Sequence, residues 1–120
     1  MEKHLATLDK VCSAVGDVCD ILRFGDDLGM NTGPFMSPST YRALFKPRHT
    51  MLCDFVHKNS GMKTFLHSCG SIYRLMPDLI EAGYDVINPV QTVTQDMEAE
   101  KLKREFGRDI TFWGGGMNTR

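Results

Sequence analysis

No segment of this 120-residue chain holds an apolar run approaching the roughly 20 residues that a membrane span requires. The opening MEKHLATLDK also lacks the apolar centre of a secretory signal, so a cytoplasmic location is expected. Basic clusters are missing as well: 14 lysines and arginines balance 15 acidic residues for a net charge of −1, which offers no surface for tracking phosphates. Nucleic acid is therefore not an expected partner. Cysteine is sparse, and Cys12, Cys19, Cys53 and Cys69 are too irregularly spaced for a disulfide framework. Cys12, Cys19 and Cys53 fall in apolar periodic segments, where a free thiol behaves as a small hydrophobe. Cys69 stands in a different setting. Neither GxGxxG nor a Walker spacing follows the Gly114-Gly115-Gly116 run, so it is no nucleotide fingerprint. What is present, 42% hydrophobic and 24% charged residues, suits one soluble globular domain with a modest core.

Along the chain, helical and extended patterns alternate. Leu5, Leu8, Val11, Cys12 and Val15 recur at helical spacing over Glu2–Val15, and Gly16-Asp17 stops that helix. A strand is predicted over Val18–Phe24, ending on Asp26 and Asp27, followed by a loop from Met30 to Met36. Ser37-Pro38 caps a helix whose buried stripe takes in Tyr41, Leu44, Phe45, Met51, Leu52 and Phe55, with His49 and His57 at its surface; Pro47 kinks or splits it. A second strand, Met62–Leu66, ends at His67-Ser68-Cys69-Gly70. Ser71 then caps a helix over Ile72–Ala82 that Gly83 terminates. Tyr84–Ile87 is the third strand, ending at Asn88-Pro89-Val90-Gln91. Thr94 or Asp96 caps a charged helix to Phe106, and Ile110–Trp113 is the fourth strand. The methionines, Met30, Met36, Met62 and Met117 among them, read as gap-fillers.

This order of helices and strands is the pattern of right-handed crossover units on a parallel sheet. The predicted fold class is α/β, a partial (β/α)8 barrel of about four βα units, read as one partial barrel domain over residues 1–120 and as a fragment of a longer barrel. All strands then end on one face, where sites of parallel sheets lie. That face collects Asp26 and Asp27, His67 and Cys69, Asn88 and Gln91, and Trp113 with Gly114.

Side chains two apart on a strand share a side, so His67 and Cys69 can reach one ion, and an imidazole with a thiolate suits zinc. The alternative is a polar loop histidine beside a buried thiol. Asp26 or Asp27 can act as an acid, a base, a partner of His67 or an acceptor for a substrate amine; equally, GDDLG is a turn using its own carboxylates. Asn88 and Gln91 can hydrogen-bond a ligand, Trp113 can wall a pocket or merely pack, and Gly114 lets backbone approach a ligand.

RFGDDLG with GPFMSP, then FLHSCGSIYRLMPDLIEAGYDVINPVQ, then ITFWGGG, closely resemble the C-terminal half of the uroporphyrinogen decarboxylase superfamily from about Val18 to Asn118. The resemblance implies a TIM barrel and one of two chemistries. In one branch, zinc-dependent methyltransferases pass a methyl group from a methylated corrinoid protein to a thiol or a folate; in the other, cofactor-free decarboxylases act on a tetrapyrrole in heme biosynthesis. His67 and Cys69 match the methyltransferase branch, whose zinc is held by a His-x-Cys pair and a distant cysteine. Cys69 is the last cysteine of this sequence, which leaves Asp26, Asp27, water or another chain as the third ligand. The substrate is expected to be a small molecule or a corrinoid protein. A non-catalytic half barrel is the further alternative, and its open edges lead to an expectation of self-association.

Overall fold

The computed structural model describes residues 2–115; Gly116 and Met117 lie outside them. The elements follow in the order α1 (Glu2–Val15), β1 (Ile21–Gly25), β2 (Gly29–Met30), β3 (Gly33–Pro34), α2 (Pro38–Leu44), α3 (Lys46–Asn59), β4 (Lys63–His67), α4 (Met76–Ala82), β5 (Val86–Asn88), α5 (Ala99–Phe106) and β6 (Thr111–Phe112). A 3-10 turn, Tyr73–Leu75, leads into α4. The main sheet has the order β1-β4-β5-β6, every pair parallel and every crossover carrying at least one helix. The four strands alternating with helices make an α/β fold with the architecture of part of a TIM-type barrel. Among the described residues, no helix is long and apolar enough to cross a membrane.

Alternation along the strands gives the sheet two faces. Leu22 and Phe24 of β1, Leu66 of β4, Ile87 of β5 and Phe112 of β6 pack against the helices. One apolar cluster joins Leu66 and Ile87 to Tyr41, Leu75, Leu79 and Leu102; a smaller one seats α1, through Leu8 and Cys12, on Leu52, Val56 and Met62. The opposite face carries Ile21, Arg23, Lys63, Phe65 and Trp113. There the Trp113 ring meets Phe65 edge-on at 5.8 Å and stays 55% exposed.

Several boundaries differ from the pattern-based expectation. The first strand starts at Ile21, because backbone bonds from Val18 and Cys19 to the Val15 carbonyl prolong the turn; Cys19 is exposed, not a buried hydrophobe. Pro47 does split the long helix. It lies in the first turn of α3, where its missing N–H costs nothing, and Phe45 closes α2. The break resets the phase of the buried stripe. In α3 it runs His49, Leu52, Cys53, Val56, so Met51, like Leu44 at the end of α2, is exposed while His49 is buried. Ser37 caps α2 by accepting from the Thr40 N–H at 3.2 Å. Ser71 caps nothing: its hydroxyl donates to the Gln95 carbonyl and its N–H to that of Met30. Thr94 closes a turn onto Gln91, and α5 starts only after Glu98. The loop after β1 contains the antiparallel β2–β3 pair, whose two-residue strands are too short to show a period.

At the other end of the sheet, Asp85 ties β4 to α3. Its carboxylate accepts from the Thr64 N–H at 2.8 Å and faces His57 Nε2 at 2.7 Å. Burial pushes this carboxyl up, but the Thr64 and His57 bonds outweigh burial and hold it below the ordinary carboxylate range. A depressed folded-state pKa contributes stability above the unfolded value and loses it as pH falls through the folded one. Asp85→Asn should therefore cost about 1–2 kcal/mol at neutral pH, the low end for charged hydrogen bonds because 32% of the side chain is solvent-accessible. Chemical denaturation from pH 7 downward checks this: the gap between wild type and variant should close below about pH 4, and a gap independent of pH contradicts the assignment.

Candidate functional site

The site begins with register. His67, the last residue of β4, lies opposite Gly25 of β1 and Asn88 of β5. Gly25 brings no side chain to this row; a Cβ there would meet only the tip of Arg23, at 3.8 Å. Asn88 donates through Nδ2 to the Trp113 carbonyl at 2.9 Å, which turns its Oδ1 toward His67 Nδ1 at 2.7 Å. An amide oxygen only accepts, so Nδ1 carries the imidazole proton and Nε2 keeps its lone pair. That lone pair faces the Cys69 sulfur, 3.6 Å away.

Two residues past Gly25 on the same side stands Asp27, whose Oδ1 accepts the Cys69 N–H at 3.0 Å. One ligand atom from each of Asp27, His67 and Cys69 lies within 4.8 Å of the others. The Cys69 N–H holds the Asp27 carboxyl below its usual range, while burial first and the Asp27 charge second push the Cys69 thiol up. His67 and Cys69 are half-buried and Asp27 is exposed, so the cluster opens to solvent. An imidazole oriented through its far nitrogen, a thiol and a carboxylate make a mixed N/S/O donor set that fits zinc, with three protein ligands and room for a fourth.

Close packing holds the three loops that frame the cluster. A Cβ on Gly29 would fall 2.7 Å from the Cys69 carbonyl, and one on Gly70 (φ +78) 2.4 Å from the Gly29 carbonyl carbon, so only glycine allows the β2 backbone against the Cys69 loop. Leu28 N–H donates to the buried Ser68 hydroxyl at 2.9 Å, Gln95 N–H to the Asn31 carbonyl at 2.8 Å, and Gly70 N–H to Gln91 Oε1.

Of the residues singled out from sequence, Asp27, His67, Cys69 and Asn88 come together. Gln91 supports the Cys69 loop, Trp113 holds Asn88 through its carbonyl, and Gly114 (φ +125) lies against the Pro89 carbonyl. Asp26 turns to the other face of the sheet. Its Oδ2 lies 3.2 Å from His49 Nε2, and His49 Nδ1 lies 2.8 Å from the Tyr41 hydroxyl. A carboxylate only accepts, so Nε2–H donates to Asp26 and the Tyr41 O–H to Nδ1. Burial lowers the His49 pKa in spite of Asp26, keeping the imidazole neutral. Sequence reasoning put His49 on the surface; the signal for the opposite is its spacing of three, four and seven from Leu52, Cys53 and Val56.

The bond that His67 Nδ1–H donates to Asn88 Oδ1 predicts a specific tautomer. Nitrogen-15 imidazole spectra should show His67 protonated at Nδ1, and Asn88→Ala should return it to the Nε2–H form that free histidine prefers. A wild-type spectrum with the proton on Nε2 contradicts this orientation of the amide.

The family model described as uroporphyrinogen decarboxylase (URO-D) matches residues 5–115. Nothing among the curated proteins matches the chain. A solved structure, a methyltransferase from Methanosarcina mazei, is similar at a TM-score of 0.66 and 19% identity, the alignment covering 92% of this chain and 29% of that one. At that identity the likeness is one of fold, and the chain spans less than a third of the neighbour's length. With the family match running from α1 through the whole parallel sheet, the chain belongs to the uroporphyrinogen decarboxylase superfamily.

Proposed function

We propose that this chain carries the metal-binding part of a zinc-dependent methyltransferase of the uroporphyrinogen decarboxylase superfamily, transferring a methyl group from a methylated corrinoid protein to a thiol or folate acceptor. The observation that carries this reading is the convergence of Asp27, His67 and Cys69 at the strand ends. The family match and the methyltransferase neighbour support it.

His67 through Nε2, Cys69 through its sulfur and Asp27 through a carboxylate oxygen would hold the metal. Asp27 takes the third place, where the sequence resemblance implies a cysteine. Bound zinc would supply a Lewis acid that lowers the pKa of a coordinated acceptor thiol and makes it a nucleophile near neutral pH. The chain's own residues supply orientation. Asn88 keeps the His67 proton on Nδ1, the Cys69 N–H steers Asp27, and the glycine-packed loop limits movement of the sulfur. Asp27 on the exposed side leaves the approach open to an acceptor.

Dialysis against zinc followed by elemental analysis should find about one zinc per chain, the stoichiometry of a three-ligand site. Cys69→Ser and His67→Ala should abolish retention, and Asn88→Ala should weaken affinity by about ten- to a hundredfold. Cobalt substitution should give a thiolate charge-transfer band that Cys69→Ser removes. Zinc binding untouched by Cys69→Ser refutes the site. No binding at all, together with decarboxylation of tetrapyrrole acetates by an enzyme containing this chain, would move the assignment to the decarboxylase branch.

A further inference from the structure

Between α1, β1 and α3 lies a cavity of about 270 Å³ that the metal reading does not use. Leu8, Phe24, Leu52 and the Tyr84 ring form its apolar walls, Asp26 and His49 add polar groups, and the exposed His4 and Thr7 of α1 also line it. Among the described residues no lysine or arginine lines it. Both nitrogens of His49 are already engaged, one by Tyr41 and one by Asp26, so the imidazole has nothing left for a ligand. Tyr41 is fully buried and Tyr84 nearly so, with Tyr84 edge-on to Phe24 and to His49 at 6.2 and 5.5 Å. The Tyr41–His49 pair thereby holds one oxygen of the Asp26 carboxylate in place. Among the described residues that carboxylate accepts from His49 alone, and its side chain is 43% exposed. Asp26 is therefore the one carboxylate among the described residues lining a largely apolar, aromatic-walled space.

A group that complements this must donate hydrogen bonds, carry positive charge and bring an apolar body. The partly exposed carboxylate disfavours an anion. A neutral apolar molecule would leave Asp26 partly desolvated without a donor, which is costly. The volume lies just under the range of about 300–1,000 Å³ usual for ligand pockets, which limits the body to one ring or a short chain. We infer that this cavity binds a small organic ammonium, whose N–H groups donate to Asp26 while its apolar body packs against Leu8, Phe24, Leu52 and Tyr84. The aromatic walls add attraction for a cation. The site is independent of the metal cluster. Asp26 and Asp27 are chain neighbours, yet alternation sends them to opposite faces of the sheet.

Calorimetric titration of the full chain in metal-free buffer tests this with benzylammonium, benzyl alcohol and benzoate, which share a ring and differ in charge. Benzylammonium should bind at least tenfold tighter than benzyl alcohol, benzoate should give no heat, and Asp26→Asn should erase the tenfold preference. Leu52→Trp, which fills the cavity, should abolish binding of both. In the wild-type chain, amide shifts on adding benzylammonium should centre on Phe24, Asp26 and Leu52, a readout that holds whether or not the variants fold. The inference is overturned if the alcohol binds as tightly as the ammonium, if the preference survives in folded Asp26→Asn, if the shifts map elsewhere, or if benzylammonium does not bind.

Discussion

Everything at the candidate site depends on the parallel register that sets Gly25, His67 and Asn88 in one row across β1, β4 and β5. In parallel sheets, residues at one level point to the same side, so the row fixes which side chains can meet. Asn88 thereby reaches His67, and two residues further on Asp27 reaches Cys69. A slip of one residue in β1 would send Asp27 to the helices and bring Asp26 to the cluster. The register is held in turn by the buried face of the same strands, because Phe24, Leu66, Ile87 and Phe112 must all face the helices. Hydrophobic burial on one side of the sheet thus positions polar chemistry on the other.

The same alternation gives the adjacent carboxylates separate surroundings. Asp27 stays exposed and is held by a backbone N–H; Asp26 reaches a buried imidazole backed by a buried phenol. Burying His49 is tolerable only because both its nitrogens are satisfied, and burial of Tyr41 only because its hydroxyl has that imidazole as acceptor. Removing either partner would leave a buried polar group without a bond. Glycine serves a narrower purpose. At Gly29 and Gly70 two backbones approach more closely than any Cβ allows, which fastens the loop after β1 to the loop after β4 and limits the freedom of Cys69.

Much of this was legible from residue order. Alternating helical and extended patterns implied the parallel sheet, Pro47 marked the helix break, Gly83 the end of α4, and the two-residue spacing of His67 and Cys69 placed them on one side. Helix starts chosen from Ser71, Thr94 and Asp96 went astray because such side chains have several backbone partners within reach, and tertiary neighbours choose among them. His49 was misplaced because a stripe extrapolated through Pro47 carries the wrong phase into α3.

By itself the sequence determined the period of each segment, the stops at proline and glycine, and the family pattern, since all of these rest on neighbours a few residues apart. Only the tertiary structure decided which aspartate joins His67 and Cys69, that Asn88 supports a ligand imidazole, and that His49 is buried between Tyr41 and Asp26. Those pairs span 8 to 42 residues of chain, and such distances are closed by strand register and helix packing rather than by local preference.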